Sequence, residues 1–309
     1  MFFEIVEFAK PTVDEYLKIL PCLFDKLKLS KGEKNMKYKI VVDSSSNLEN
    51  DYITDKEVGF EVVPLSITVD SKTFVDNHQI NINQMLEEMH ASKNKATSSC
   101  PSCGYFTESY KDCEYTICIT MTSKLSGTYN SAYIGGQNVD SKVHVIDSKA
   151  TGGVMRLIVD KAYELIKSNK EFTEICSELE EYKESLNLLF VLDKFENLVK
   201  NGIMSKIAAF VANALYIKPL CIANDGVIDV YDKPRTRKGA INKLIETIGK
   251  RTTNTCGKTC VVEHCLSDED AEYIKKEIEN KYQFSKIVIT PMKGLCSFYA
   301  LEKGIIVSF

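Results

Sequence analysis

The chain has 309 residues, 44% of them hydrophobic and 27% charged, with a formal net charge of −4. That length suffices for two ordinary domains, and the mild acidity excludes a protein built mainly to grip phosphate backbones. No apolar run approaches the ~20 residues that cross a bilayer, so neither nucleic acid nor stable membrane insertion is expected.

Residues 1–10 (MFFEIVEFAK) carry acids early and lack a basic leader and a small-residue cleavage site, so they do not read as a secretory signal. The eleven cysteines then belong to a reducing compartment, where cysteine in runs such as YTICIT (115–120) acts as a small core residue. The expected location is the cytoplasm. Residues 1–36 read as an N-terminal extension. Val13, Leu17, Leu20, Leu23, Phe24 and Leu27 recur there at helical spacing, interrupted by Pro21, before a polar stretch at 30–35.

From residue 37 the pattern is strand, loop, helix. Residues 39–42 (KIVV) form a β-branched run that ends in Asp43-Ser44-Ser45-Ser46. Two further short runs over 60–69 join at Pro64, and 73–75 completes a small sheet. The spacing predicts a helix over 82–90, a breaker-rich loop over 96–104 (ATSSCPSCG) and a short helix over 106–111. Residues 115–121 read as a strand, and 123–127 (SKLSG) turn into a helix over 128–136. A strand at 143–146 ends again in Asp-Ser, at Asp147-Ser148, ahead of a long helix from about 153 to 167. Parallel α/β units produce this echo, and their ligands gather at the carboxyl ends of the strands.

Helices are predicted in the second half over 172–186, 194–200, 205–215, 236–250 and 268–282. Strands are predicted over 217–223, 227–231, 259–264, 286–290 and 304–309. The expected organisation is an extension (1–36), an N-terminal α/β domain (37–170, with a small β insertion near 60–76) and a C-terminal α/β domain (171–309). Solenoid repeats and low-complexity segments are absent from the sequence.

Leu125-Ser126-Gly127-Thr128-Tyr129 is the strongest local constellation. It follows a strand and opens a helix, where the first backbone N–H groups lack partners and the helix dipole is positive. Gly127 admits a ligand close to the backbone, and Ser126 adds a hydroxyl. The arrangement either binds an anion or has Ser126 or Thr128 cap its own helix. Ser98-Ser99-Cys100-Pro101-Ser102 offers further hydroxyls, and by itself reads as a cap for the next helix. Cys100 and Cys103 form one CxxC pair with no second pair or matching histidines for zinc. Gly257-Lys258-Thr259 lacks the earlier glycine of a phosphate loop and leads into a strand. His264 ends a strand and is the histidine best placed to face a cleft, although a structural hydrogen bond is the simpler reading of it. The basic run 233–238 (KPRTRK) is either a solvated loop or a docking patch.

Taken together, several segments resemble the DegV family from about residue 37 to the carboxyl terminus. They are Val42-Asp43-Ser44-Ser45-Ser46-Asn47-Leu48, Val63-Pro64-Leu65-Ser66-Ile67, Val75-Asp76, the 98–102 loop, the 123–129 turn with Ser131-Ala132, and Val145-Ile146-Asp147-Ser148. In the second half LYIKPL (215–220), Asp225-Gly226 and RTRKGA (235–240) follow in order. The resemblance implies a two-domain α/β fold, with an N-terminal Rossmann-like parallel sheet, a C-terminal α/β domain and a long-chain fatty acid between them. It also implies that the acyl carboxylate is held by a hydroxyl of the loop matching Ser98, with Thr97 beside it, and by the serine matching Ser126, with Gly127 and Thr128 at the same helix start. No metal or cofactor is implied beyond the bound acid. The implied partner is a fatty acid kinase that phosphorylates the presented carboxylate, the carrier itself being non-catalytic.

Two departures stand out. A Gly-Gly-Arg feature of the family appears as Asn201-Gly202-Ile203, and a histidine-bearing glycine-rich tail is replaced by GLCSFYALEKG (294–304). Ser297 or Tyr299 is then the candidate substitute for that histidine, with His264 and Ser297 as secondary head-group candidates. Two rival functions compete: an acyl hydrolase or transferase using Ser126, which requires a general base, and a small-anion sensor without lipid.

Overall fold

A computed structural model describes residues 36–137, 139–203 and 217–309. The expected extension and the helix predicted over 205–215 therefore lie outside the described residues.

Four parallel strands form the first sheet, in the order β2 (Val58–Val63), β1 (Met36–Asp43), β6 (Cys113–Thr120), β7 (Lys142–Asp147). Ile40 is paired with Ile117 in this register. Ile40, Val41 and Val42 are all fully buried, because the sheet is covered on both faces and its central strands read as continuous apolar runs. Val41 and Cys118 face Phe106, Tyr110 and Ala132 of two short helices, α2 (Cys103–Ser109, with Tyr110 just beyond it) and α3 (Thr128–Gly136). Ile40, Val42, Ile117 and Ile119 face the long helix α4 (Gly153–Lys167), followed by α5 (Phe172–Glu184).

The second sheet has six strands in the order β10 (Val227–Asp232), β9 (Leu220–Asn224), β8 (Leu188–Val191), β13 (Ile305–Ser308), β11 (Thr259–His264), β12 (Lys286–Pro291). Only the β11–β12 pair is parallel. Strand alternation divides its side chains between two cores. Leu189, Val191, Ile305 and Val307 pack with α7 (Arg237–Arg251) and α8 (Asp268–Lys281). Leu188, Phe190, Cys221 and Ile306 turn the other way, into the core shared with α4. A Cβ on Gly153, at the start of α4, would fall 2.8 Å from Val261 Cβ and 2.9 Å from Ser308 Cβ, so the helix meets the second sheet at backbone distance.

A third, antiparallel sheet has the order β4 (Lys72–Val75), β3 (Ser66–Val69), β5 (Thr97–Ser99). Helix α1 (Ile82–Ala91) links β4 to β5. Two further short helices among the described residues are α6 (Glu196–Lys200) and α9 (Gly294–Ala300).

Most predicted elements stand within a few residues of their expected bounds. Three differ. Residues 97–99 are a strand inside the predicted loop, 188–191 form a central strand where no element was predicted, and 294–300 form a helix. Among the described residues no helix is long and apolar enough to cross a membrane.

Candidate functional site

The turns that follow β6 and β7 at the carboxyl edge of the parallel sheet are tied together by the two Asp-Ser echoes. Buried Asp43 accepts a hydrogen bond from the Met121 amide at 2.7 Å. Asp147 accepts from the Ser123 amide at 3.2 Å, and from the Ser123 hydroxyl. Two carboxylates, from the ends of the strands β1 and β7 that flank β6, thus hold the start of the turn that carries Ser126 and Gly127.

That turn opens on a cavity of about 450 Å³, in the size range of small-molecule sites. Its floor is the inward face of the second sheet, including Leu188, Phe190 and Ile306. Phe190 is paired with Ile306 in the sheet register, so their side chains lie next to each other on the floor. Ser98, Ser99, Ser126 and Gly127 contribute polar groups to the lining. A Cβ on Gly127 would sit 3.4 Å from Cys100 Sγ, which brings the 98–102 segment and the 123–127 turn into contact.

The predicted residues divide into two groups. Ser98, Ser126 and Gly127 line the cavity. Ser126 Oγ accepts from the Thr128 amide at 3.2 Å and pairs with Thr128 Oγ1 at 2.8 Å, while the N-cap of α3 is Gly127, without a side-chain cap. Thr128 is buried behind it and supports its hydroxyl. Thr97 is exposed, on strand β5 opposite Thr68, and is not a lining residue. His264 is buried, accepts from the Ser267 amide at Nδ1 (3.2 Å), and is not a lining residue. Ser297 is fully buried, donates to the Met292 carbonyl at 3.1 Å, and likewise stands outside the lining.

Three further lining groups stand outside the two serine turns, and of these only Lys149 was not singled out in the sequence. Tyr299 projects from α9 and its Oη lies 2.9 Å from Ser98 Oγ. Burial pushes its phenol pKa up, which keeps it neutral. Ile203 supplies an apolar side chain to the lining. Lys149 stands at the wall with its ammonium paired to Glu184 and Asp225, each at 2.9 Å. Those hydrogen bonds raise its pKa and hold it cationic.

Asp225 belongs to the β9–β10 turn, which docks beside the cavity. Thr122 Oγ1 donates to the Gly226 carbonyl at 2.8 Å. Gly226 has φ +82°, and a Cβ there would meet Thr122 Oγ1 at 2.5 Å, so only glycine suits this contact.

Helix α9 is fixed from below by buried Asp76, which accepts from the Gly294 and Leu295 amides at 2.7 and 2.9 Å and from the Ser44 hydroxyl at 2.9 Å. Glu263 on β11 accepts from Asn47 Nδ2 and the Gly153 amide, both at 2.7 Å, and so joins the second sheet to the first. Burial pushes Asp43 and Asp76 up to about 6 and Glu263 up to about 7. Among the described residues no cluster of histidine, cysteine or carboxylate side chains could hold a metal ion.

A family model described as an uncharacterised protein of the DegV family matches residues 37–308. A DegV domain-containing protein from Streptococcus pyogenes serotype M1 is 34% identical over 280 residues, covering 89% of this chain and 99% of the relative. Among solved structures, the Streptococcus pneumoniae Fatty Acid Kinase (Fak) B3 protein loaded with linoleic acid is 31% identical, with a TM-score of 0.83, covering 89% of this chain and 99% of that one. A DegV family protein from Ruminococcus gnavus with vaccenic acid also superposes at a TM-score of 0.83, with 29% identity over 89% of this chain and all of its own. A third, from Eubacterium eligens loaded with heptadecanoic acid, has 30% identity and a TM-score of 0.81 over 88% and 98%. On the extent of the family match and the identity to these relatives, this chain belongs to the DegV family.

Proposed function

We propose that this protein binds a long-chain fatty acid in the cavity, at the junction of two α/β domains that divide near residue 170. The acyl tail lies on the apolar floor. The Ser98 and Ser126 hydroxyls and the backbone at Gly127 hold the carboxylate. One observation carries this reading: a single cavity combines a floor of aliphatic and aromatic side chains with two serine turns. The similar structures that carry linoleic, vaccenic and heptadecanoic acids support it.

The energetics are adequate. Burying ten methylenes is worth ~8 kcal/mol gross at roughly 0.8 kcal/mol each, before ordering costs. Hydrogen bonds to the charged head add about 1.5–3 kcal/mol each. No protein cation is required beside the carboxylate.

A carrier is favoured over an acyl-transfer enzyme. Neither histidine nor a carboxylate stands among the described lining residues, and Lys149 is held cationic, so Ser126 has no general base there. The cavity volume also exceeds what a sensor for a small anion needs. The role that fits is a cytoplasmic, non-catalytic carrier that presents the acid to a fatty acid kinase for acyl-phosphate formation. The similarity to the pneumococcal kinase-associated protein supports that partner.

Extraction of freshly purified protein, followed by lipid analysis, is expected to recover long-chain fatty acid in near-equimolar amount. Lipid-free protein that also rejects added fatty acids contradicts the reading.

A further inference from the structure

Cys100-Pro101-Ser102-Cys103 joins strand β5 to helix α2 and carries a thiol pair that fatty-acid binding does not require. Both thiols are free and exposed, whereas seven of the ten described cysteines are buried. Burial pushes buried thiols such as Cys221 and Cys260 up to about 12, which leaves them poor nucleophiles. Cys100 lines the cavity, and its Sγ lies 3.4 Å from where a Cβ on Gly127 would sit. Cys103 is not a lining residue. Its carbonyl accepts from Thr107 Oγ1 at 3.1 Å and lies 2.8 Å from a Cβ built on Gly135, so α2 is fixed against α3 at this point.

We propose that Cys100 and Cys103 form a reversible dithiol–disulfide switch whose oxidation displaces the 98–102 segment from the cavity, so that ligand binding and thiol oxidation oppose one another. The switch rests on the fatty-acid reading for its ligand and goes beyond it. The oxidant is a small-molecule disulfide. The Cys103 thiolate attacks one of its sulfurs, the reagent S–S bond breaks, and one thiol leaves. Cys100 then attacks the Cys103 sulfur of the mixed disulfide, which closes the protein S–S bond and releases the second thiol. The two protein thiol protons end on the two released thiols, and the pair gives two electrons to the reagent. Bridged cysteines hold their Cα atoms about 4.4–6.8 Å apart, and with two residues between them that spacing is a β-turn. Ser102 is instead extended, with φ −70° and ψ 159°. The bond therefore closes only if the segment bends. That bend is accessible, because proline pre-sets the φ of the second turn position and Ser102 makes no side-chain cap on α2. With α2 fixed at Gly135, Cys100 is the end that moves, and it pulls on Ser99 and Ser98 just before it. A ligand that holds Ser98 in place favours the dithiol, and the disulfide weakens that ligand by the same factor.

The test equilibrates delipidated wild type and the Cys100→Ser/Cys103→Ser variant in buffers of reduced and oxidised glutathione, with and without saturating hexadecanoate. Peptide mass mapping reads the Cys100–Cys103 bond, and titration reads hexadecanoate affinity. Wild type carrying the mapped disulfide is expected to bind hexadecanoate about tenfold more weakly than the dithiol, with full recovery on reduction. Saturating hexadecanoate is expected to raise the reduction potential of the pair by ~30 mV, which is the same tenfold factor for a two-electron couple. The double variant is expected to bind equally in reducing and oxidising buffer. A pair that stays dithiol in glutathione disulfide, or a mapped disulfide that binds hexadecanoate as tightly as the dithiol, overturns the switch and leaves the lipid reading intact. An equal loss in the double variant also overturns it, because another thiol is then responsible. Reduced wild type that binds no hexadecanoate sinks both.

Discussion

Buried carboxylates set the behaviour of individual residues here. Asp43, Asp76 and Glu263 lie within the protein, each satisfied by two or more donors, and the Arg156 charge only partly offsets the burial of Glu263. Burial is the leading cause of their upward shifts, from 3.8 to about 6 for the aspartates and from 4.5 to about 7 for the glutamate. Each group binds its proton more tightly in the folded chain than in the unfolded one. The stabilisation from that proton is complete below pH ~4 and is lost as pH rises through about 6 to 7. Aspartates lowered by hydrogen bonds and ion pairs, such as Asp55, are already ionised in this window and do not oppose the trend. Unfolding by urea is therefore expected to become easier from pH 5 to pH 8, by a few kcal/mol in all. A stability that rises steadily over that range contradicts the assignment.

Elements were legible where their signal is local. The parallel strands announced themselves through β-branched runs closed by Asp-Ser, and those aspartates proved to hold the Ser126 turn. Strand β8 was missed because LLFV is a short apolar run without period, which reads alike as strand or helix. Helix α9 was missed for a different reason. Its seven residues are capped not by a neighbour but by Asp76, more than two hundred positions away. Strand β5 hid in a polar loop because its pairing partner, Ile67 opposite Ser98, fixes it from outside the segment. Tyr299 had been named only as a stand-in for an absent histidine, and its contact with Ser98 depends on that hidden helix. Asp76→Ala leaves two amides and a hydroxyl without their acceptor, so it is expected to lower stability by about 3 kcal/mol or more at 1–3 kcal/mol per lost partner. Hydrogen exchange should lose protection at 294–295 first. Wild-type stability and exchange there would show that Asp76 does not anchor α9.

At the scale of the whole molecule, three sheets converge on one cavity. The parallel sheet contributes turns with hydroxyls and backbone, the six-stranded sheet contributes an apolar floor, and the three-stranded sheet fixes α9 between them. The β9–β10 turn crosses from the second sheet to the first through Thr122–Gly226 and Lys149–Asp225, and Glu263 makes a second crossing. Neither crossing can be read from sequence, since each joins residues about eighty positions apart or more that carry no shared motif. The cavity combines the serine turns with the floor of Leu188, Phe190 and Ile306. A crystal structure of the protein loaded with hexadecanoate tests this account most directly. The carboxylate is expected within about 3 Å of Ser126 Oγ and Ser98 Oγ, with the chain lying along Phe190 and Ile306. A carboxylate found instead at Lys149, or lipid bound outside the cavity, contradicts it.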